Sequence, residues 1–322
     1  MYKTFFGLTR NPFEISPDPY FLFATAHHNE ALASIVHGVL RHKGFVVVSG
    51  EVGTGKTLLV RCLLEVLRRH DIASANVFNP CLSPLDFLRY IVRDLGINTS
   101  GQDKGSLLLE LNNYLIARHR RNATTVLIVD EAQLLEPELL EEIRLLTNLE
   151  TSQQKLLQIV LVGQPELDLK MDSPDLRQLK QRIAMRCQLD PLQEHETRSY
   201  ILRRLQRAGA NSPATTIFPD ETLTNVHRYS KGIPRLINTL CDNALIAAYA
   251  SKSQTVCPEI IDDVARDLRL NVLCPPLVVA STASERQRDI AKSLLQLVEA
   301  LERVARNNPV RETPLDQGVK IV

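Results

Sequence analysis

Eight consecutive residues, Gly50-Glu51-Val52-Gly53-Thr54-Gly55-Lys56-Thr57, carry the chemistry that the rest of the chain must serve. They fit the pattern G-x-x-x-x-G-K-[ST] at every position, and that pattern makes a loop that wraps phosphate. Its glycines let the backbone turn N–H groups inward at the start of a helix. Lys56 can reach the β- and γ-phosphates of a nucleoside triphosphate, and the Thr57 hydroxyl can be offered to Mg²⁺. The nucleotide-contacting set is therefore Gly50, Glu51, Val52, Gly53, Thr54, Gly55, Lys56, Thr57 and Leu58. A second stretch, Val126-Leu127-Ile128-Val129-Asp130-Glu131, ends an apolar run in two carboxylates. Asp130 suits a Mg²⁺ ligand, directly or through water, and Glu131 suits a base that orients and deprotonates water for attack on the γ-phosphate. Alone, an apolar run ending in Asp-Glu is weak; 73 positions beyond Thr57 it has room for the intervening strand and helices. A third stretch ends in Gly163-Gln164-Pro165, where Gln164 can sense the γ-phosphate or position water.

These groups need a parallel sheet to bring them to one edge. Residues 45–49 are short, apolar and β-branched, as a strand buried on both faces should be. Residues 58–68 follow with apolar side chains at helical spacing. Further strands are expected at 72–78, 126–129, 156–162 and 186–189, with helices at 27–41, 84–94, 107–120 and 138–147 between them. Asp190-Pro191-Leu192 marks the domain edge. Beyond it the pattern turns all-helical, at 194–208, 219–229, 234–250 and 258–268, divided by Gly209, Pro213, Gly232 and Pro258.

The expected division is four-part: a lead-in at 1–30 packed on the core, a nucleotide-binding α/β domain at 31–192, a helical lid at 193–270, and a linker, amphipathic helix and tail at 271–322. The lead-in alternates aromatics with turn-formers and is a candidate wall for the nucleotide base. The helix at 284–307 has the step pattern of a short coiled-coil seam, through Ile290, Leu294, Leu297, Leu301 and Val304. With 44% hydrophobic and 23% charged residues, the 322-residue chain has the makings of a real core. A net charge of +1 excludes a polyanion binder that works by bulk charge, so a nucleic-acid surface would have to be local. Six scattered cysteines without a C-x-x-C pair read as free thiols of a reducing compartment. Neither a leader nor a transmembrane segment is read, so a cytoplasmic location is expected, at most peripheral to the inner membrane through a partner.

Taken together, these motifs resemble the AAA+ ATPases, and most closely the ExeA/general secretion pathway protein A group, related to transposition ATPases of the TniB and MuB type. The resemblance spans about residues 1–270. It rests on Phe6-Gly7-Leu8, Asn11-Pro12-Phe13 and Pro17-Asp18-Pro19, on the phosphate loop, and on Asp130-Glu131-Ala132-Gln133. It continues through 162–167, 179–192 and Gly232-Ile233-Pro234-Arg235. It implies an α/β P-loop NTPase with a three-layer parallel sheet of order 5-1-4-3-2, followed by a small all-helical lid. It also implies ATP and Mg²⁺, with catalysis between subunits of a homo-oligomeric ring or filament. By position, Gln164 becomes sensor 1 and Arg235 sensor 2, while Arg182, with Arg186 second, becomes the arginine finger. Secretion-type members of the group continue into a transmembrane helix and a peptidoglycan-binding part, and neither is read in this sequence.

Two functions follow as expectations. One is an oligomeric ATPase driving or switching assembly of a secretion or envelope export system, with an inner-membrane partner. The other is an ATP-dependent adaptor that binds DNA, drawing on Arg198, Arg203, Arg204 and Arg207 of the first lid helix.

Overall fold

The computed structural model describes residues 2–270, apart from 15–17, 22, 24, 100, 102, 153 and 211–213. The expected linker, the helix at 284–307, the tail and Cys274 lie outside the described residues. In chain order the elements are α1 Tyr2–Phe5, α2 Ala26–Leu40, β1 Phe45–Gly50, α3 Lys56–Arg69, β2 Ala73–Val77, α4 Pro84–Asp94, α5 Lys104–Arg120 and β3 Thr125–Val129. They continue with α6 Pro137–Leu146, β4 Leu157–Gly163, α7 Pro165–Met171, α8 Arg177–Lys180 and β5 Met185–Leu189. The helical part holds α9 Glu194–Arg207, α10 Ala214–Ile217, α11 Asp220–Ser230, α12 Pro234–Ala250 and α13 Pro258–Asp267.

The five strands form one parallel sheet in the order β2-β3-β4-β1-β5. This is the expected order 5-1-4-3-2 read from the other edge. The central strands β1, β3 and β4 are buried at every residue. Their side chains alternate between two apolar layers. Phe45, Val47, Leu127, Val129, Ile159 and Leu161 face the layer that holds Phe87, Leu111 and Ile143 of α4, α5 and α6. Val46, Val48, Val126, Ile128, Val160 and Val162 face Ile35 and Val39 of α2 and Leu59, Leu63 and Leu67 of α3. A run that is apolar at successive positions therefore serves two layers at once, as a parallel sheet requires.

Local chemistry sets the helix starts. The Thr25 side chain accepts from His28 N, Ser83 from Asp86 N with Pro84 in the first turn, and Asp103 from Ser106 N. The last cap begins α5 at Lys104, ahead of the apolar period that predicts a start at 107, because a carboxylate satisfies the orphan N–H groups of the first turn. Gln193 and Glu196 make a reciprocal capping box at α9.

The lead-in divides its packing: the turn Pro19–Phe21 meets α3 and the start of α2 belongs to a helix laid on the sheet, while the aromatics go to the helical part. Tyr2, Phe6, Leu8, Phe13 and Phe21 enter the apolar cluster of the helical part, with Tyr200, Leu205, Phe218 and Leu240, and neither cluster of the sheet. Thr9 N donates to Ala208 O at 2.8 Å, and Arg204 Nε donates to Pro12 O, so backbone and side chains dock the arm on α9 together. Aromatics from the arm and apolar side chains of the lid helices share one core. The sheet meets the helical part where Leu192 N donates to Gly232 O at 2.8 Å. Five cysteines lie among the described residues, and all five are free thiols.

Candidate nucleotide site

The site begins where β1 runs out. Phosphate-binding loop and helix follow it directly, with Gly55 as the left-handed N-cap of α3. Thr54 Oγ1 donates to Glu51 O at 2.9 Å and closes the loop on itself. The Lys56 ammonium donates to the carbonyls of Gly50 at 2.7 Å and Glu51 at 2.9 Å, folded into the curve that a phosphate chain would occupy. Burial pulls its pKa down, and the carboxylates of Glu131 and Asp130 push it back up.

β3 delivers the acids. Asp130 is buried at the strand's C-terminal end, where its N–H continues the sheet ladder to Val77 O. Its Oδ2 accepts from Thr57 Oγ1 at 3.5 Å, and its Oδ1 from Glu131 N at 2.9 Å. Burial raises its pKa; the Glu131 N–H and Lys56 oppose that rise. Thr57 and Asp130 thus offer a hydroxyl and a buried carboxylate, two hard oxygens side by side, which is the donor set Mg²⁺ takes from protein when phosphates and water supply the rest. Glu131 sits in the left-handed region, φ 52° and ψ 37°, a positive φ it shares with six other described non-glycine residues. The conformation swings its side chain towards β4. There its Oε2 accepts from Gln164 Nε2 at 3.4 Å and from Gln133 Nε2 at 2.6 Å.

Lys56, Thr57, Asp130, Glu131 and Gln164 are therefore brought together at one sheet edge. Arg235 joins them through its backbone: its N–H donates to Gly53 O at 3.2 Å. A Cβ on Gly53, where φ is +86°, would lie 2.7 Å from that of Arg235, so only glycine lets the start of α12 rest on the loop. The other two arginines are held elsewhere. Arg182 Nη1 donates to Thr147 Oγ1 at 2.7 Å, and Arg186 pairs with Asp168 and Asp172 at 3.2 and 3.1 Å.

Two residues of this neighbourhood escape the sequence. His28 Nε2 meets Thr54 O at 3.0 Å while its Nδ1 meets Thr25 Oγ1 at 2.8 Å, linking the start of α2 to the loop. Gln133 is visible only as a member of the Asp-Glu-Ala-Gln motif. The sole sequence signal for His28 is its place three residues after a capping threonine.

Known proteins resemble this chain in sequence and in fold. A family described as AAA domain matches residues 39–171. General secretion pathway protein A of Aeromonas hydrophila is 46% identical over 257 residues, covering 80% of this chain and 46% of that protein. The chain thus spans about half the length of this relative. Two solved structures share the fold at 18% identity: Cdc6p from Pyrobaculum aerophilum (TM-score 0.59, 77% of this chain and 70% of that one) and the Aeropyrum pernix ORC2 protein (0.57, 80% and 71%). At that identity they speak for the fold alone.

Proposed function

Because the chain belongs to the AAA+ P-loop ATPases and is ExeA-like among them, we propose that it hydrolyses ATP with Mg²⁺ between subunits of a homo-oligomer. We propose further that this turnover drives or switches assembly of a secretion or envelope export system. The observation that carries the reading is the convergence of Lys56, Thr57, Asp130, Glu131 and Gln164 at the C-terminal edge of β1, β3 and β4.

In this reading Lys56 leaves the carbonyls of Gly50 and Glu51 for the β- and γ-phosphates, exchanging neutral acceptors for charged ones. Mg²⁺, held by Thr57 and Asp130, would neutralise charge on the phosphate oxygens. Glu131 takes the proton of the attacking water as its oxygen bonds to the γ-phosphorus and the bond to the β-phosphate oxygen breaks, leaving ADP and orthophosphate. Gln164 holds that water or the γ-phosphate. The lid, taken as residues 193–270, keeps Arg235 over the loop, and a neighbour's Arg182 or Arg186 completes the charge balance.

The role in export rests on the relative's name, and the partner is proposed as an inner-membrane or export-system protein met from the cytoplasmic side. Among the described residues no helix is long and apolar enough to cross a membrane. The DNA-adaptor alternative gains little from the lid arginines. Arg204 is buried over Phe21 and Arg207 donates to Tyr20 O, so these two serve the packing of the lid and arm, while Arg198, paired with Asp220, and Arg203, over Phe23, stay exposed.

Orthophosphate release by purified protein, with nucleotide binding measured in parallel, tests the proposal. Lys56→Ala is expected to lose nucleotide binding. Glu131→Gln is expected to bind ATP and turn over at least about a hundredfold more slowly. Wild-type turnover in Glu131→Gln removes Glu131 as the base.

A further inference from the structure

Gln133 lies in the 3-10 turn Ala132–Leu134, two residues beyond the proposed base, and both ends of its side-chain amide are engaged. Its Nε2 donates to Glu131 Oε2 at 2.6 Å, and its Oε1 accepts the backbone N–H of Gln164 at 3.0 Å. The partners fix which end faces which way. A carboxylate only accepts and a backbone N–H only donates, so the NH₂ group must face Glu131 and the carbonyl oxygen must face Gln164. The slot is close-fitting, since a Cβ on Gly163 would come within 2.9 Å of Gln133 Oε1. The turn is pinned as well. Lys170 of α7 donates to the carbonyls of Gln133 at 2.7 Å and Leu135 at 2.8 Å.

We propose that Gln133 is a positioning residue for hydrolysis, tethering Glu131 Oε2 to the junction of β4 and α7 so that Oε1 is the oxygen presented to the attacking water. The inference rests on Glu131 being the base. Three groups that must agree in position, the base, Gln164 and the first turn of α7, thereby move as one unit. None of Gln133's hydrogen bonds reaches the phosphate loop or Thr57, so its loss acts on turnover and leaves nucleotide affinity alone.

The test uses the full chain, with steady-state phosphate release and ATP binding measured for Gln133→Met, which keeps length without a donor, and for Gln133→Glu. Gln133→Met is expected to lower kcat about tenfold, part of what a well-placed base contributes, with KM and Kd for ATP within about twofold. Gln133→Glu is expected to fall further, because a second carboxylate then faces the base. In a Glu131→Gln background, Gln133→Met should cost nothing more, since a residue acting through Glu131 has nothing left to act on. Full turnover by Gln133→Met beside an inactive Glu131→Gln overturns the tether alone. An equal further loss in the double variant also overturns it, by making Gln133 structural. Wild-type turnover in Glu131→Gln overturns the base and the tether with it.

Discussion

A single imidazole joins the first turn of α2 to the phosphate loop. Thr54 O only accepts, so His28 Nε2 carries the proton, and Nδ1 is left to accept from the Thr25 hydroxyl while that oxygen accepts from His28 N. Burial holds the ring below its ordinary pKa of 6.5, against the pull of the Thr54 carbonyl. The unfolded chain therefore binds more protons than the folded one as pH falls below about 6.5, and stability drops through that window; above it the ring is neutral in both states and contributes no slope. In thermal melts from pH 7.5 to 5, the wild type should lose more stability than His28→Gln, and parallel curves would refute the assignment. His28→Ala leaves the Thr54 carbonyl without its donor, a loss of roughly 1 kcal/mol. If that falls on the nucleotide-ready loop, ATP affinity should weaken about fivefold by calorimetry. None of this could be read from the chain. His27 and His28 are neighbours that point apart on a helix, and the partner that gives His28 its task lies 26 positions away. The convergence of the phosphate loop, Asp130, Glu131 and Gln164, by contrast, is legible because each belongs to a motif or a strand end.

At the scale of elements, legibility follows how much of an element's address is written in its own period. β1, β3 and β4 declare themselves as largely apolar, β-branched runs, broken only by Ser49, Thr125 and Gln158, and the lid helices do so by spacing and by the glycines and prolines that divide them. The arm carries aromatics without a period, which promise burial but name no surface; only the folded lid shows that its core lacks them. Phe13 is fully buried in that core, with its ring edge-on to Phe218 at 6.0 Å. Phe13→Ala should therefore cost about 3–5 kcal/mol in denaturant unfolding. In hydrogen exchange the loosening should centre on α9 and α11 and spare the sheet. Uniform loosening would place the arm on the α/β domain after all. Gly232 makes a second demand. Its φ is +75°, and a Cβ there would lie 1.9 Å from Leu192 O, so Gly232→Ala must strain a bond by which the end of the sheet domain holds the lid. The expected loss exceeds the roughly 1–2 kcal/mol of left-handed strain alone, measured by the same unfolding curves.

For the whole molecule, the decisive feature is what one chain gathers at the proposed γ-phosphate end and what it holds apart. Lys56 lies at that end and Arg235 rests on the loop, while Arg182 and Arg186 make their contacts with Thr147, Asp168 and Asp172. Arg186 is committed to two carboxylates, and leaving them costs two charge-assisted bonds; Arg182 gives up one hydroxyl and a charge attraction to Glu150, so we propose Arg182 as the finger offered to a neighbour. A site completed across an interface makes two demands on kinetics. Turnover per protomer should rise with protein concentration until assembly saturates. Arg182→Ala should bind ATP normally yet lose about a thousandfold in rate, the scale of a missing finger. Mixing then separates a shared site from a self-contained one. Arg182→Ala keeps an intact phosphate loop and Lys56→Ala keeps an intact arginine, and each variant alone is expected to be inactive. In a mixed oligomer, an Arg182→Ala loop facing a Lys56→Ala neighbour has every group it needs. Phosphate release should reappear on mixing and peak near equal proportions. A mixture as inactive as its parts, with co-assembly verified by light scattering, would place Arg182's contribution inside its own protomer.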